Sequence, residues 1–290
     1  MGFLDRVRHA GRGDQGLSEA TVTGSVFDIW GQRGWANIDI VGESFNTAAI
    51  RAILGSGHLP SEGAEVTTEV HLLHNSLNVH DRNAIEVHGS TGLLGHLSRE
   101  DASRYAPVIG RLQQRNLIAT TTARVWGRDD KDWQTGESRF NCSVRLDLPE
   151  PHLMFPHNQA PVEPHQLLPS GSAKRVSTVD GYADATGPYL CPEGECWVYA
   201  TLHEVVEEGP RSSKNLAEVR IDGGVVGRLS PKMSGDMLPA VHFLDERGFV
   251  TAARAVVKGN QLKSEVVVHA MRASDLPQEW VNGISQPANP

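Results

Sequence analysis

The residues best suited to binding chemistry lie in one stretch of the chain, from Asn75 to Tyr105. The candidates are His80, Asp81, Arg82, His96 and Arg99. Imidazole, carboxylate and guanidinium groups can together offer hydrogen-bond donors, acceptors and positive charge to one ligand. We therefore treat these five residues as a candidate binding site and ask which elements bring them together.

A hairpin and a helix start are predicted to position the candidates. The stretch indicates a polar loop (75–82), a short strand (84–88), a glycine turn (89–92) and a second short strand (93–97). A helix then begins with a Ser-x-x-Asp capping box, Ser98 to Asp101, whose side chains can satisfy free N–H groups of the first turn. This order is expected to gather the polar groups around one hairpin and one helix N-terminus.

Each candidate also has a structural interpretation. Asp81 and Asn83 are typical of an Asx turn that would fix the hairpin. His96 on a strand can be a structural histidine with satisfied hydrogen bonds, and Arg99 can simply face solvent. Both interpretations stay open from the residues alone.

The sequence gives little support to a metal site or to catalysis. A histidine set would use His71, His74, His80, His88 and His96, but strand alternation is expected to spread these over both faces of a sheet. Cys191 and Cys196 with His203 could suggest a metal clip, but no fourth ligand is evident. No phosphate-binding ATPase loop, hydrolase elbow or zinc-protease helix motif occurs. We expect no metal, no other cofactor and no enzyme activity.

Length and composition indicate a protein of two ordinary domains. The chain has 290 residues, of which 39% are hydrophobic and 21% charged, as in soluble globular proteins. Three cysteines cannot make a disulfide framework, no apolar run reaches the roughly 18 residues that span a bilayer, and the start lacks the apolar core of a signal peptide. We expect a cytoplasmic protein with no membrane partner. The net charge of -8 argues against broad phosphate binding, so any contact with nucleic acid must be local.

The pattern along the chain predicts a mainly β fold with short helices, of the α+β class. The domains expected are an N-terminal tail (1–19), a first β-rich domain with an N-terminal β extension (20–148), a proline-rich linker (149–187), a second domain (188–282) and a C-terminal tail (283–290). The linker is expected because its prolines interrupt every element that could form there.

The two domains repeat one sequence pattern. An offset of 132 aligns residues 66–127 with 198–259 without gaps and gives 15 identities in 62 positions, against roughly four expected by chance. We infer an internal duplication. Glycines and apolar residues recur because each copy must build the same turns and core. The polar cluster does not recur, since His80 and Asp81 align with serines, His96 with Arg228 and Arg99 with Pro231.

The run from Asn78 to Val87, followed by Leu94 to Ala102, resembles the HIRAN domain family. Its pattern is Asn-Pro-aromatic-Asp-x-Asn-Ala-Ile-x-Val and then Val-Gly-His/Tyr-Leu-x-x-Glu, and Val41 to Ser44 is similar to its opening strand. The resemblance covers about residues 36–148. Residues 188–282 are similar only through the repeat, as a degenerate copy.

This resemblance implies two tandem OB-like small β-barrels, the first with a pocket for single-stranded DNA at a 3′-hydroxyl end. By position, Asp81 would accept the terminal hydroxyl, His80 would stack on a base, and His96 and Arg99 would contact phosphate. Arg82 adds local positive charge. We therefore expect a non-enzymatic DNA-binding protein associated with repair or replication, with a protein partner for the second domain. The alternative is a structural or protein-interaction module of two barrels that do not bind DNA.

Overall fold

The structure is a computed structural model that describes residues 24–55, 57–131, 136, 138–178, 185–209 and 212–285. The predicted N-terminal tail, part of the predicted acidic hairpin loop (128–137) and the last residues of the C-terminal tail lie outside the described residues. The chain forms two compact units, Met1–Met154 and Phe155–Pro290. Each unit is mainly β with short helices, which confirms the predicted fold class.

The first unit is a closed β-barrel. Its strands are β1 (Ser25–Asp28), β2 (Ile38–Val41), β3 (Ala64–His74), β4 (Ile85–Gly89), β5 (Gly92–Leu97), β6 (Leu117–Lys131) and β7 (Ser138–Leu146). They are ordered β1-β6-β3-β4-β5-β2-β7, and an additional pairing of β6 with β7 closes a ring of six strands. The short strand β1 runs parallel to β6 outside that ring. This closure removes the free strand edges that an open sheet would expose.

Helices complete the first unit on one side of the barrel. They are α1 (Thr47–Leu54) and α2 (Arg99–Gln114), with single 3-10 turns at Glu43–Phe45 and Pro151–Leu153. Helix α2 buries the residues predicted at helical spacing, Tyr105, Val108, Ile109 and Leu112. It begins where the capping box predicted, because the Ser98 hydroxyl oxygen accepts the Asp101 amide at 3.1 Å.

One glycine lets strands β5 and β2 lie close together. Gly95 has a φ of 159°, and a Cβ atom built on it would lie 2.6 Å from the Val41 carbonyl oxygen. Any larger residue would push the two strands apart at this point. Gly227 lies at the corresponding position of the second unit, with a φ of 158° and a Cβ distance of 2.2 Å to the Ser177 carbonyl oxygen.

The second unit has eight strands in one sheet. They are β8 (His165–Leu167), β9 (Ala173–Arg175), β10 (Ser177–Thr178), β11 (Glu195–Glu208), β12 (Ser213–Ile221), β13 (Gly224–Arg228), β14 (Val250–Asn260) and β15 (Lys263–His269). Their order is β10-β13-β12-β11-β14-β15-β9, with β8 beside β14. Helices α3 (Pro231–Asp245) and α4 (Gln278–Gly283) and 3-10 turns at Gly187–Tyr189 and Ala273–Asp275 complete the unit.

The segment predicted as a proline-rich linker differs from that prediction. Its short strands β8, β9 and β10 pair with β14, β15 and β13, so much of residues 149–187 belongs to the second sheet rather than to a free connection. The prolines fall outside these strands of two or three residues, where they remove no ladder hydrogen bond. The second unit therefore starts well before residue 188.

The order of elements in the two units corresponds, except that β9 and β10 together take the place of β2. Strand β8 runs parallel to β14 as β1 runs parallel to β6, and β10 pairs with β13 as β2 pairs with β5. The main hairpins and the long helix follow in the same sequence. The segment predicted as a linker is thus the counterpart of the N-terminal β extension of the first unit. Among the described residues, no helix is long and apolar enough to cross a membrane.

Candidate nucleic-acid interface

The polar loop between β3 and β4 is held by side-chain hydrogen bonds to its own backbone. The Asn78 Oδ1 atom accepts the His80 amide at 2.9 Å and the Asp81 amide at 3.2 Å. The Asp81 Oδ1 atom accepts the Asn83 amide at 2.9 Å. The Asx turn is therefore present, and it holds the His80 and Asp81 side chains on a defined backbone. His80, Arg82 and Asn83 are exposed, and Asp81 is half-buried.

A buried pair fixes this loop to the barrel. The Asn75 Nδ2 group donates to the Glu86 Oε1 atom at 2.7 Å, and Asn75 Oδ1 accepts the Leu77 amide at 3.2 Å. The backbone amide of Asn75 also donates to the Ala84 carbonyl at 2.9 Å. The His74 Nε2 atom lies at hydrogen-bonding distance, 2.8 Å, from the Arg82 carbonyl oxygen. The start and the end of the loop are thus held by strands β3 and β4.

Glu86 links the loop to the candidate His96. The two residues are cross-strand partners on β4 and β5, and the other Glu86 oxygen lies 2.9 Å from His88 Nε2. Burial alone would raise the pKa of Glu86, but hydrogen bonds from His88 and Asn75 outweigh it and hold this pKa below its usual value. Glu86 is therefore a buried anion with two donors.

His96 is an uncharged hydrogen-bonding group near neutral pH. Burial lowers its pKa below the usual value, and the nearby Glu86 offsets this only in part. The ring faces Gly42, since a Cβ atom built on Gly42 would lie 3.9 Å from His96 Nδ1. No hydrogen bond of the His96 side chain occurs within the described part of the chain. Its ring nitrogens are available to a ligand.

An exposed aromatic ring lies three residues after Gly42. Phe45 ends the 3-10 turn after β2, and 92% of it is exposed. The sequence pattern of residues 43–55 predicts a short helix or an irregular connection, which does not single out Phe45. Asn46 is the residue that could have indicated this, because Asn is a preferred N-cap. The helix does start at Thr47, so Phe45 lies outside it.

Arg99 is the first residue of α2 and is exposed. The Ser98 hydroxyl group donates to Asp101 Oδ2 at 2.7 Å, so the cap uses both side chains. Neither Arg99 nor Arg82 forms an ion pair with another described residue. Both guanidinium groups are free to meet an anion, although Glu100 and Asp101 occupy the same first turn.

Strand register places the candidates at one end of the barrel. His74 pairs with Ile85 at the start of β4, and Glu86 pairs with His96 near the end of β5. The loop before β4 and the helix start after β5 therefore lie at the same end. The predicted gathering around a hairpin and a helix N-terminus follows from this register, but no hydrogen bond joins the five candidates to one another among the described residues.

The strand histidines of the first unit lie on both faces of the sheet, as strand alternation predicts. His71 is paired with His88, and Glu86 with His96, so these side chains point to the same side of the sheet. His71 Nδ1 lies 3.1 Å from Thr120 Oγ1, and burial lowers the His71 pKa. His74 has the opposite orientation. In the described ranges no group of three or more His, Cys, Asp or Glu could hold a metal ion.

The thiols of the second unit have hydrogen-bonding roles within the chain. Cys191 and Cys196 are free cysteines whose sulfur atoms contact the carbonyl oxygens of Glu195 and Tyr189, at 3.0 and 3.2 Å. Burial raises the pKa of the Cys196 thiol to about 12. A thiol with so high a pKa is a poor metal ligand at neutral pH.

In the second unit, the arginines at the corresponding positions are already paired with carboxylates. Arg228, at the position of His96, binds Glu207 at 2.9 Å and lies 3.7 Å from Glu218. Arg220, at the position of His88, binds Glu218 at 2.8 Å. Glu207 takes the place of Asn75, so a second carboxylate stands where the first unit has an amide. An incoming phosphate would meet paired arginines and an added negative charge.

A closed β-barrel with an anchored polar loop and a capped helix at one end defines a small binding module. A family model described as HIRAN domain matches residues 45–149. Residues 45–149 are therefore similar to the HIRAN domain, a module associated with recognition of single-stranded DNA. No curated protein and no solved structure matches the chain. The match covers the first unit from Phe45 onward and not the second.

Proposed function

We propose that the chain is a non-enzymatic protein whose HIRAN-like domain binds single-stranded DNA at the loop end of the first barrel. The observation that carries this proposal is the position of the Asx-turn loop, His96 and the start of α2 at one end of the barrel, within the matched domain. The finer part of the proposal is that the ligand is a 3′ end.

Asp81 is the residue for a terminal hydroxyl group. Its Oδ1 atom is used by the Asn83 amide, and Oδ2 accepts no hydrogen bond from any described residue. A carboxylate oxygen that faces partly open space can accept a hydroxyl proton, and it repels a terminal phosphate. This asymmetry favours a 3′-hydroxyl over a 3′-phosphate.

Exposed rings on either side of this end can stack on bases. His80 lies on the loop, and Phe45 ends the 3-10 turn that follows β2, the strand paired with β5. Stacking of a base on an aromatic ring contributes about 1–3 kcal/mol and tolerates any base. We therefore expect little sequence preference.

Arg82 and Arg99 supply the positive charge. They are exposed and have no ion-pair partner among the described residues, so they can neutralise phosphates without breaking an existing pair. With two such contacts, the affinity should fall with salt by a slope of about -1.4 in log–log form, since single strands give about -0.7 for each phosphate. His96, being neutral, would donate or accept one hydrogen bond.

The wider role follows from the ligand. A protein that holds free single-stranded ends would act in DNA repair or replication-associated processes, and we propose a cytoplasmic location for it. We further propose that the two barrels arose by duplication and that the second binds a protein partner. The ion-paired Arg228 and the carboxylates of Glu207 and Glu218 favour this assignment, because they oppose binding of phosphate.

Fluorescence anisotropy with a labelled single-stranded oligonucleotide tests the proposal. Arg99→Ala should weaken binding about three- to tenfold at low salt. Lys232→Ala is the matched control, since Lys232 lies in the first turn of α3 as Arg99 lies in that of α2. Equal affinity of wild type and Arg99→Ala would contradict the assigned phosphate contact. An equal loss in Lys232→Ala would point instead to a general charge effect.

A further inference from the structure

An exposed tryptophan stands on a rigid loop of the first unit, away from the five candidates. Trp35 is 61% exposed. The loop before it is held by the buried Asp147, whose carboxylate accepts the amides of Gly34 at 2.7 Å and Arg33 at 3.2 Å. After it, Asn37 makes two hydrogen bonds to the backbone of Leu148, at 2.8 and 3.0 Å. The indole is thus presented by a fixed backbone.

This ring borders a cleft on the outer face of the barrel. The cleft has a volume of about 340 Å³, within the range of about 300–1,000 Å³ that small-ligand sites show. Its walls include Trp35, Thr67, Thr122, Arg124 and Glu65. An aromatic ring, two hydroxyl groups and a guanidinium group around one cleft suit a base with its adjoining phosphate.

The arginines of this face form solvent-exposed ion pairs. Arg124 lies 3.5 Å from Glu65, with both side chains about half exposed. Arg145, the cross-strand neighbour of Arg124, pairs with the exposed Asp39 at 2.6 Å. Exposed ion pairs of this kind contribute little to stability, so a phosphate can replace the carboxylate at small cost. The hydrogen bond from Arg145 lowers the pKa of Asp39, which therefore remains ionised.

The face is continuous with the proposed DNA site. His96 pairs with Val41 on β2, Asp39 pairs with Arg145 on β7, and Ser143 of β7 pairs with Trp126 on β6. Outward side chains therefore lead from β5 across β2 and β7 to β6. At about 4.8 Å for each strand, three steps cover roughly 14 Å, a distance that a few nucleotides can span.

The arginines of this face are not needed to build the fold, because the second unit has other residues at their positions. The positions of Arg124 and Trp126 hold Val256 and Lys258 under the same offset, and Val256 pairs with Val267 where Arg124 pairs with Arg145. Val256 is buried, so the corresponding face carries an apolar residue there. The paired arginines Arg124 and Arg145 are thus particular to the first unit.

We propose that the Trp35 cleft and the outer face of β2, β7 and β6 form a second contact surface for single-stranded DNA. The indole of Trp35 stacks on a base, and Arg124 takes the adjoining phosphate. This surface would carry the strand that leads away from the nucleotide bound near His96 and Asp81. The inference rests on the proposed function of the first unit. It extends the binding site from a pocket for the 3′ end to a longer surface, here called the track.

Oligonucleotides of two lengths distinguish binding at the proposed 3′-end site from binding along the second surface. Affinity and tryptophan fluorescence would be measured for the full chain with oligothymidines of 3 and 12 nucleotides that carry a 3′-hydroxyl. The variants are Trp35→Ala and Arg124→Ala, and Trp280→Ala on α4 of the second unit is the control. We expect the 12-mer to bind wild type more tightly than the 3-mer and to quench its fluorescence. Trp35→Ala should lose at least about fivefold in affinity for the 12-mer, as for one lost stacked base, and less than twofold for the 3-mer.

The outcomes are distinguishable. If wild type binds both lengths equally and Trp35→Ala changes neither affinity, the track is wrong while the end site stands. If wild type binds neither length, the proposed function fails and the track fails with it. A fivefold loss in Trp280→Ala as well would also overturn the assignment to Trp35. Because Trp35 and Arg124 are exposed, circular dichroism should show the variants folded like wild type.

Discussion

Replacing Asn75 by alanine should loosen the loop that carries His80 and Asp81. The change removes the buried hydrogen bond to the Glu86 carboxylate, which is worth about 1.5–3 kcal/mol because its acceptor is charged. It also removes the hydrogen bond from the Leu77 amide, worth about 1 kcal/mol. The first unit should therefore lose about 2.5–4 kcal/mol in its free energy of unfolding.

The second unit offers a matched control for this change. Glu207 occupies the position of Asn75, but its partner is Arg228 in a partly exposed pair, and Arg228 keeps Glu218 nearby. Such pairs contribute about 0–1 kcal/mol, so Glu207→Ala should have little effect. The two variants differ in whether the lost hydrogen bond is buried.

Urea unfolding and hydrogen exchange by mass spectrometry would measure both variants. Asn75→Ala should lower the first unit's unfolding midpoint and speed exchange in residues 75–86, and Glu207→Ala should leave residues 207–218 near wild type. DNA affinity should fall in the first variant alone. If Asn75→Ala stays within about 0.5 kcal/mol of wild type, or if Glu207→Ala destabilises as much, the Asn75–Glu86 pair is not the anchor of the loop.

Three further predictions concern the same unit. Ser98→Ala should reduce the free energy of unfolding by about 1 kcal/mol through loss of the helix cap, read as a lower Tm; an unchanged Tm would contradict the cap. The lowered pKa of Glu86 means that its stabilising effect is present above its ordinary value of 4.5 and is lost as the pH falls through the lower folded value. Urea midpoints should therefore drop on acidification in wild type and less so in Glu86→Gln, and parallel curves would refute this. Gly95→Ala should strongly destabilise the barrel, since its Cβ atom would clash with the Val41 carbonyl, and a folded variant of wild-type stability would contradict the close approach.

Local patterns predicted much of the first unit. The capping residues Ser98 and Asp101, the alternation in β3 and the spacing of Tyr105, Val108 and Ile109 each depend on neighbours within a few residues, and the corresponding elements formed where they were expected. The HIRAN match likewise agrees with the motif residues. Because these signals depend only on nearby residues, they can be recognised in the sequence itself.

Features that depend on distant partners could not be predicted in the same way. The pair between Asn75 and Glu86 needs the register of β3 against β4, and the shared face of His71 and His96 needs two further pairings. Strands β8 to β10 are too short and too close to prolines to be read as strands, and they form only because β13, β14 and β15 offer free edges. Exposure of Phe45 depends on where α1 begins.

The central claim is that Asp81 in the first barrel recognises the free 3′ end of single-stranded DNA. The most direct test is fluorescence anisotropy at low salt with two short single strands that differ only in a 3′-hydroxyl or a 3′-phosphate. Wild type should bind the 3′-hydroxyl strand more tightly, Asp81→Ala should abolish the difference, and Ser213→Ala at the matching position of the second unit should preserve it. Equal, negligible binding of both strands by the wild-type protein would contradict the account.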